Sequence, residues 1–187
     1  MANIKRANTS GITKSGIAIP DVPDAPTIGA ATNVGTSRAY NNGSATVAFT
    51  ASATGGTSTS FTATSTPGSF TGSGAGSPVT VTGLQSATSY TFVVTGTNAS
   101  ATSPVSSASS SITATTVPAA PTIGGPTNVG TGTNYNAGQV NIAFTAGATG
   151  GKAISSHYAI SKYPIINIRL SNIFNNFSLW NHKIWFY

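Results

Sequence analysis

Val81-Thr82-Gly83-Leu84-Gln85-Ser86-Ala87-Thr88-Ser89-Tyr90-Thr91-Phe92-Val93-Val94 is the stretch on which the fold of this chain turns. Tyr90, Phe92 and Val94 alternate with Thr91, Val93 and Thr95. Successive side chains of an extended strand point to opposite faces, so the first set lines a core and the second faces out. Period two in a run of aromatic and β-branched residues is a strand signal, not a helix signal. Ahead of it, Val79 and Val81 alternate in a shorter strand that leads to Leu84.

Working outward, the same texture continues. Val47 and Phe49 share one face of Thr46–Thr50, and Asn41-Asn42-Gly43 before them is a turn signal, since Asn-Gly tolerates positive φ. Gly55-Gly56 closes that strand, and Phe61, Ala63 and Ser65 form the inward face of the next. Thr66-Pro67-Gly68-Ser69 reads as a turn. Gly72-Ser73-Gly74-Ala75-Gly76 lacks the Lys-Ser/Thr and helix of a phosphate loop and reads as a flexible loop between strands. Ile112 and Ala114 suit a final strand. Short strands, frequent turns and no helical periodicity predict an all-β sandwich of seven strands.

The chain also repeats itself. From Pro26 to Gly56, 20 of 31 positions recur 95 residues later without a gap, as in Thr32-Asn33-Val34-Gly35-Thr36 and Thr127-Asn128-Val129-Gly130-Thr131. An offset of that size is the length of one small β-sandwich, so the chain reads as a tandem array. The linker Asp21-Val22-Pro23-Asp24-Ala25-Pro26 has its counterpart in Val117-Pro118-Ala119-Ala120-Pro121. Four segments follow: a polar basic arm at 1–20, a complete copy at 21–117, a truncated second copy at 118–164, and a divergent tail at 165–187.

The second copy runs in register to Gly151. With a two-residue insertion, Tyr158…Pro164 parallels Phe61…Pro67. After Pro164 the counterpart of Thr80–Thr115 is absent from the sequence. Residues 165–187 contain no Gly, Ala, Thr, Val or Pro, but carry both Trp residues and many Ile, Asn and Phe. A shift of reading frame within the second copy is the simplest account of that change. About three strands cannot bury a sandwich face, so the second copy is expected to be open, with unpaired strand edges beside an aromatic tail.

Composition narrows the chemistry. With 187 residues, the chain has room for one or two domains. It has no cysteine, so disulfides and thiolate chemistry are excluded. Asp21 and Asp24 are its only carboxylates, and His157 and His182 lie in or after the broken copy. General acid/base catalysis needs a positioned ionisable group, so the complete copy is expected to be non-catalytic, without cofactor or metal. The two aspartates fall short of calcium's 6–8 oxygen ligands. A formal charge of +6 is spread over the arm, the broken copy and the tail, and the complete copy holds only Arg38. Nucleic-acid binding wants clustered cations with stacking aromatics, so no nucleic-acid partner is expected. No apolar run spans a bilayer or follows the basic N-terminus as a secretory signal would. Tyr40 and Phe70 are the candidates for exposed loop aromatics.

The complete copy resembles a fibronectin type III domain of the Ser/Thr/Gly-rich sort found in phage and bacterial proteins. Val81-Thr82-Gly83-Leu84…Thr88-Ser89-Tyr90-Thr91-Phe92-Val93-Val94 resembles that family's Gly-Leu-x-x-x-Thr-x-Tyr-x-Phe-x-Val run. Pro23-x-x-Pro26 is similar to its proline-marked start, and Gly55-Gly56 followed by Phe61 to its third strand. Asn98 and the Ser-rich stretch around Ser107 also fit, and Phe49 stands where the family usually has a buried Trp. The resemblance implies a fibronectin type III-like seven-stranded sandwich. It places Phe49, Phe61, Leu84, Tyr90, Phe92 and Val94 in the core, with Tyr90 at a tyrosine corner whose hydroxyl bonds to upstream backbone. It further implies a structural or adhesion module of a phage virion, made in the host cytoplasm and displayed on the particle. Host cell-surface glycans or other virion proteins would be its partners, bound weakly and many at a time. The alternative it leaves is a fragment of a bacterial secreted or cell-surface protein with such repeats as linkers.

Overall fold

The computed structural model describes residues 13–14, 17–18, 21–129, 132, 139–159 and 167–171. Most of the arm, the Tyr158…Pro164 parallel beyond Ala159 and most of the 165–187 tail lie outside them. Every regular element among the described residues is a strand. In chain order these are β1 (Thr13–Lys14), β2 (Ile17–Ala18), β3 (Thr27–Asn33), β4 (Gly43–Thr50), β5 (Ser60–Thr66), β6 (Thr71–Gly74), β7 (Val79–Leu84), β8 (Ser89–Thr97), β9 (Ile112–Thr113), β10 (Thr122–Asn128), β11 (Gln139–Thr145) and β12 (Asn167–Ser171). The chain divides into two compact units, one of Met1–Ala119 with Thr149–Ala153, the other of Ala120–Ala148 with Ile154–Tyr187.

The first unit holds the seven strands β3 to β9 in two sheets, ordered β3-β4-β7 and β6-β5-β8-β9, all pairs antiparallel. β1 and β2 form a separate antiparallel hairpin. The three- and four-stranded sheets are the two layers of a β-sandwich. Alternation in the sequence becomes alternation in burial. Along β8, Tyr90, Phe92, Val94 and Gly96 are buried while Thr91, Val93 and Thr95 are half-buried. Facing residues from the two layers close the core: Ala45, Val47, Phe49, Val79, Val81 and Leu84 on one side, Phe61, Ala63, Tyr90, Phe92 and Val94 on the other, with Ala114. Each large apolar side chain removed from water in this way contributes about 1.5–3 kcal/mol. Phe49 and Phe61 stack across the layers with ring centroids 4.6 Å apart.

The Tyr90 hydroxyl, at the base of this core, accepts a hydrogen bond from the Gln85 N–H at 2.9 Å. That bond pins the Gly83–Thr88 turn to β8, with Gly83 at φ 80° and Ala87 at φ 59°. Tyr90→Phe is expected to keep the packing and lose the bond, a destabilisation of roughly 1 kcal/mol. Urea unfolding of a fragment spanning residues 20–118 measures it, and an unchanged midpoint would remove the corner from the account.

The structure corrects one local expectation. Residues 72–74 of the glycine-rich run are not loop: Thr71–Gly74 is strand β6, paired to β5 from Thr64↔Thr71 to Phe61↔Gly74. Glycine is tolerated because β6 is an edge strand, and at position 72 it is required: a Cβ on Gly72 would lie 2.0 Å from the Thr80 carbonyl oxygen. The layers approach each other too closely there for any side chain. The final strand expected at Ile112 is present as β9. β9 is only two residues, because the ten residues before it follow β8 with a period of three rather than two.

In the second unit β10, β11 and β12 form one sheet. β10 pairs with β11 antiparallel, and its register slips between Ile123 and Pro126, as β3 slips on β4 between Ile28 and Ala31. The repeated sequence has therefore built the repeated pair, including its bulge. β12 joins β11 in parallel.

Candidate functional site

Most of the chemistry of the closed sandwich lies on one edge of β8. Ser103, Ser106 and Ser109 are three residues apart, and each is 6% exposed. Their backbone N–H groups donate to the carbonyls of Gly96, Val94 and Phe92 at 2.8, 2.9 and 2.8 Å. The N–H groups of those same three residues donate back to the three serine hydroxyl oxygens, at 3.0 Å from Gly96, 2.9 Å from Val94 and 3.0 Å from Phe92. Each hydroxyl then donates onward to the carbonyl of the residue after it, Pro104, Ser107 or Ser110. Three residues of the serine segment thus advance along two residues of β8. Side-chain oxygens take the acceptor role that a neighbouring strand's carbonyls would fill, so these buried polar groups of the edge are paired. Pro104, Val105, Ser107, Ala108 and Ser110 face outward. Such an edge offers no regular row of N–H and C=O groups for another strand to join.

The two ends of the sandwich carry the remaining polar groups. At one, the Arg38 guanidinium donates to the Asn42 carbonyl (2.6 Å) and side-chain oxygen (3.2 Å). Beside it, the Asn41 N–H donates to the Ser86 hydroxyl and the Ser86 N–H to the Asn41 side chain. Ser86 in turn shares a hydrogen bond with buried Thr116. Tyr40, 38% exposed, sits in this loop. At the other end Gly55, at φ 74°, and Gly56 hold the incoming linker. The Gly56 N–H donates to the Val22 carbonyl, and the Asn98 amide donates to the Asp21 carbonyl. A Cβ on Gly56 would fall 1.9 Å from that Asp21 oxygen. The repeated Gly150, also in the first unit, accepts from the Thr116 N–H at 2.8 Å, so both glycine pairs clasp the linker that precedes their own copy.

Phe49, Phe61, Leu84, Tyr90, Phe92 and Val94, the core set expected from the sequence, form one cluster, none more than 7% exposed. Phe70 is not an exposed loop aromatic: it packs against the core, edge-on to Tyr90 with centroids 6.0 Å apart, under Gly68 and Gly83. Tyr158 does not stand in for Phe61. It is 86% exposed, and His157 instead stacks on Phe144 at 4.9 Å and 45°, close to the Phe49–Phe61 geometry of 4.6 Å and 44°. The insertion in the second copy is therefore one residue at this point, and an imidazole fills the place of a phenyl ring. Asp21 and Asp24 lie in the linker; among the described residues no three His, Asp or Glu side chains gather as a metal site would require. No helix among them is long and apolar enough to cross a membrane. The serine edge is a feature that the sequence reading misses, although its three-residue spacing is there to be seen.

No family model matches the chain, and no curated protein does. Among the solved structures that match is one described as "Titin kinase and its flanking domains", 26% identical, with a TM-score of 0.40. The match covers 49% of this chain, and this chain spans 17% of that one.

Proposed function

We propose that residues 21–117 are a fibronectin type III module and that the chain is non-catalytic, serving as a spacer and weak adhesive. The setting proposed is the surface of a phage virion, where host glycans or other virion proteins are the partners. The observation that carries this reading is the recurrence, at an offset of 95 residues, of the same linker, strand pair and bulge. Repetition of one bead favours spacing and multivalent display over a single active site. The loop chemistry agrees with it. The sandwich ends present hydroxyls and amides already bonded to one another, with one Arg and one exposed aromatic in Arg38 and Tyr40. Binding hot spots draw on Trp, Tyr and Arg, so a single module has little anchor material.

The expected behaviour is weak affinity per module with adhesion through number. A fragment spanning 20–118 should bind host-surface glycans at millimolar strength at best, about −4 kcal/mol. The same fragment displayed in many copies on a particle should adhere. Glycan-array and surface-plasmon measurements on monomer and multimer check this. A monomer binding one defined partner at nanomolar strength, or turning over any polysaccharide, would overturn the proposal. Tail, capsid or portal genes beside its own would support the virion setting, and a secretion operon would favour a bacterial surface protein.

A further inference from the structure

Among the described residues, the second unit contains the same strand pair as the closed sandwich, with its inward face less buried than in the first. Ala45, Val47 and Phe49 of β4 are buried; their counterparts Val140, Ile142 and Phe144 of β11 are as large or larger, and none is buried. Ile28 of β3 packs on the core, whereas its counterpart Ile123 of β10 is 70% exposed. Two polar atoms there, Asn141 Oδ1 and His157 Nε2, are buried with no hydrogen-bond partner among the described residues.

The position beside β11 is where the two units differ most informatively. In the closed sandwich β4 is flanked by β3 and β7, with Ala45 opposite Val81 and Val47 opposite Val79. In the second unit β11 is flanked by β10 and β12, with Val140 opposite Ile168 and Ile142 opposite Leu170. The tail strand thus takes the place of β7 in the same register, apolar residue for apolar residue, but runs in the opposite direction. A parallel strand there cannot lead into a counterpart of the β7–β8 turn, and residues 165–187 contain no such counterpart.

We propose that the β11 edge is a strand-accepting site, and that its partner is the complementary half of this same repeat supplied by a second polypeptide. That partner carries an antiparallel strand of the Val79-Thr80-Val81-Thr82 kind followed by a Tyr-x-Phe-x-Val strand. β12 is a placeholder that the partner displaces. The occupant is identified by the closed copy, in which those very elements cover β3 and β4. Antiparallel pairing supplies main-chain bonds, and alternate side chains supply specificity. The site differs from the loop surfaces invoked above and stands or falls separately from glycan adhesion.

The test uses the full chain and a synthetic peptide of residues 77–86, Ser-Pro-Val-Thr-Val-Thr-Gly-Leu-Gln-Ser, followed by amide hydrogen exchange. The peptide is expected to slow exchange across Gln139–Thr145 and speed it across Asn167–Ser171. Ile168→Asp with Leu170→Asp in the full chain, and separately the chain ended at Pro164, should each bind the peptide at least about tenfold more tightly, since neither retains a competent placeholder strand. A peptide with Asp in place of both valines should not bind. Absence of β11 protection in all three chains would overturn the proposal. So would β11 protection that leaves β12 exchange and peptide affinity unchanged, or self-association through β11 that the peptide does not reverse.

Discussion

Replacing Ser103, Ser106 and Ser109 together with alanine is expected to cost the first sandwich about 3 kcal/mol, and to abolish cooperative unfolding if its stability is at the low end of the usual ~5–15 kcal/mol. The reason is what each hydroxyl does. Its oxygen is the acceptor for a buried N–H of β8, at Gly96, Val94 or Phe92. Alanine preserves the backbone bond from each serine N–H and leaves the β8 donor stranded away from water. A stranded buried donor costs about 1–3 kcal/mol, against the ~0.5–1.5 kcal/mol that a satisfied bond contributes. At about 1 kcal/mol for each of the three sites the sum is ~3 kcal/mol, and because they share one edge their effects couple rather than simply add. For a domain of this size that is a fall in Tm of roughly 12 °C or more. Ser107→Ala with Ser110→Ala is the control: both face solvent, and they should change stability by less than ~0.5 kcal/mol. Thermal unfolding of the fragment 20–118 compares the two. Equal effects would mean that the serine segment is held by composition alone.

Phe92→Ala is expected to be the most damaging single substitution, at about 3–5 kcal/mol. Phe92 is 1% exposed and lies near the middle of the longest strand, tilted against Tyr90 with centroids 6.4 Å apart. Its ring shares the core with Val47, Val79 and Val81 of β4 and β7, which are stiff at χ1 and cannot swing into the space left behind. The cavity term therefore adds to the lost transfer energy. Thr91→Ala, next to it and half-buried, should cost far less. Denaturant unfolding that ranked the two equally would contradict the assignment of the inward face.

The first sandwich is legible in its sequence because period-two alternation survives wherever one face is buried and the other is wet. Tyr90, Phe92 and Val94 carry that signal without ambiguity. The serine edge escapes such a reading because its period is three and Ser107, Ser110 and Ser111 fill the gaps, so hydroxyls with different jobs look alike. Strand β6 resembles loop in sequence because glycine usually interrupts strands; only the 2.0 Å approach of the Thr80 oxygen to a Cβ at Gly72 shows why glycine belongs there. Phe70 looks external because it follows a turn, yet the turn folds it back over Tyr90. His157 is not evident as the partner of Phe144 because a one-residue slip in register is invisible once identity fades.

The central claim is that one copy of the repeat is a closed sandwich, while the described residues of the other form only one three-stranded sheet. Native-state hydrogen exchange on the full chain tests it most directly. The amides of β4, β5, β7 and β8, including Phe92, Val94 and Gly96 beneath the serine edge, should exchange only through a single global opening. Those of β10 and β11 should exchange by local opening orders of magnitude faster, although they repeat the β3–β4 pair and its bulge. Equal, global protection of both strand pairs would contradict the account.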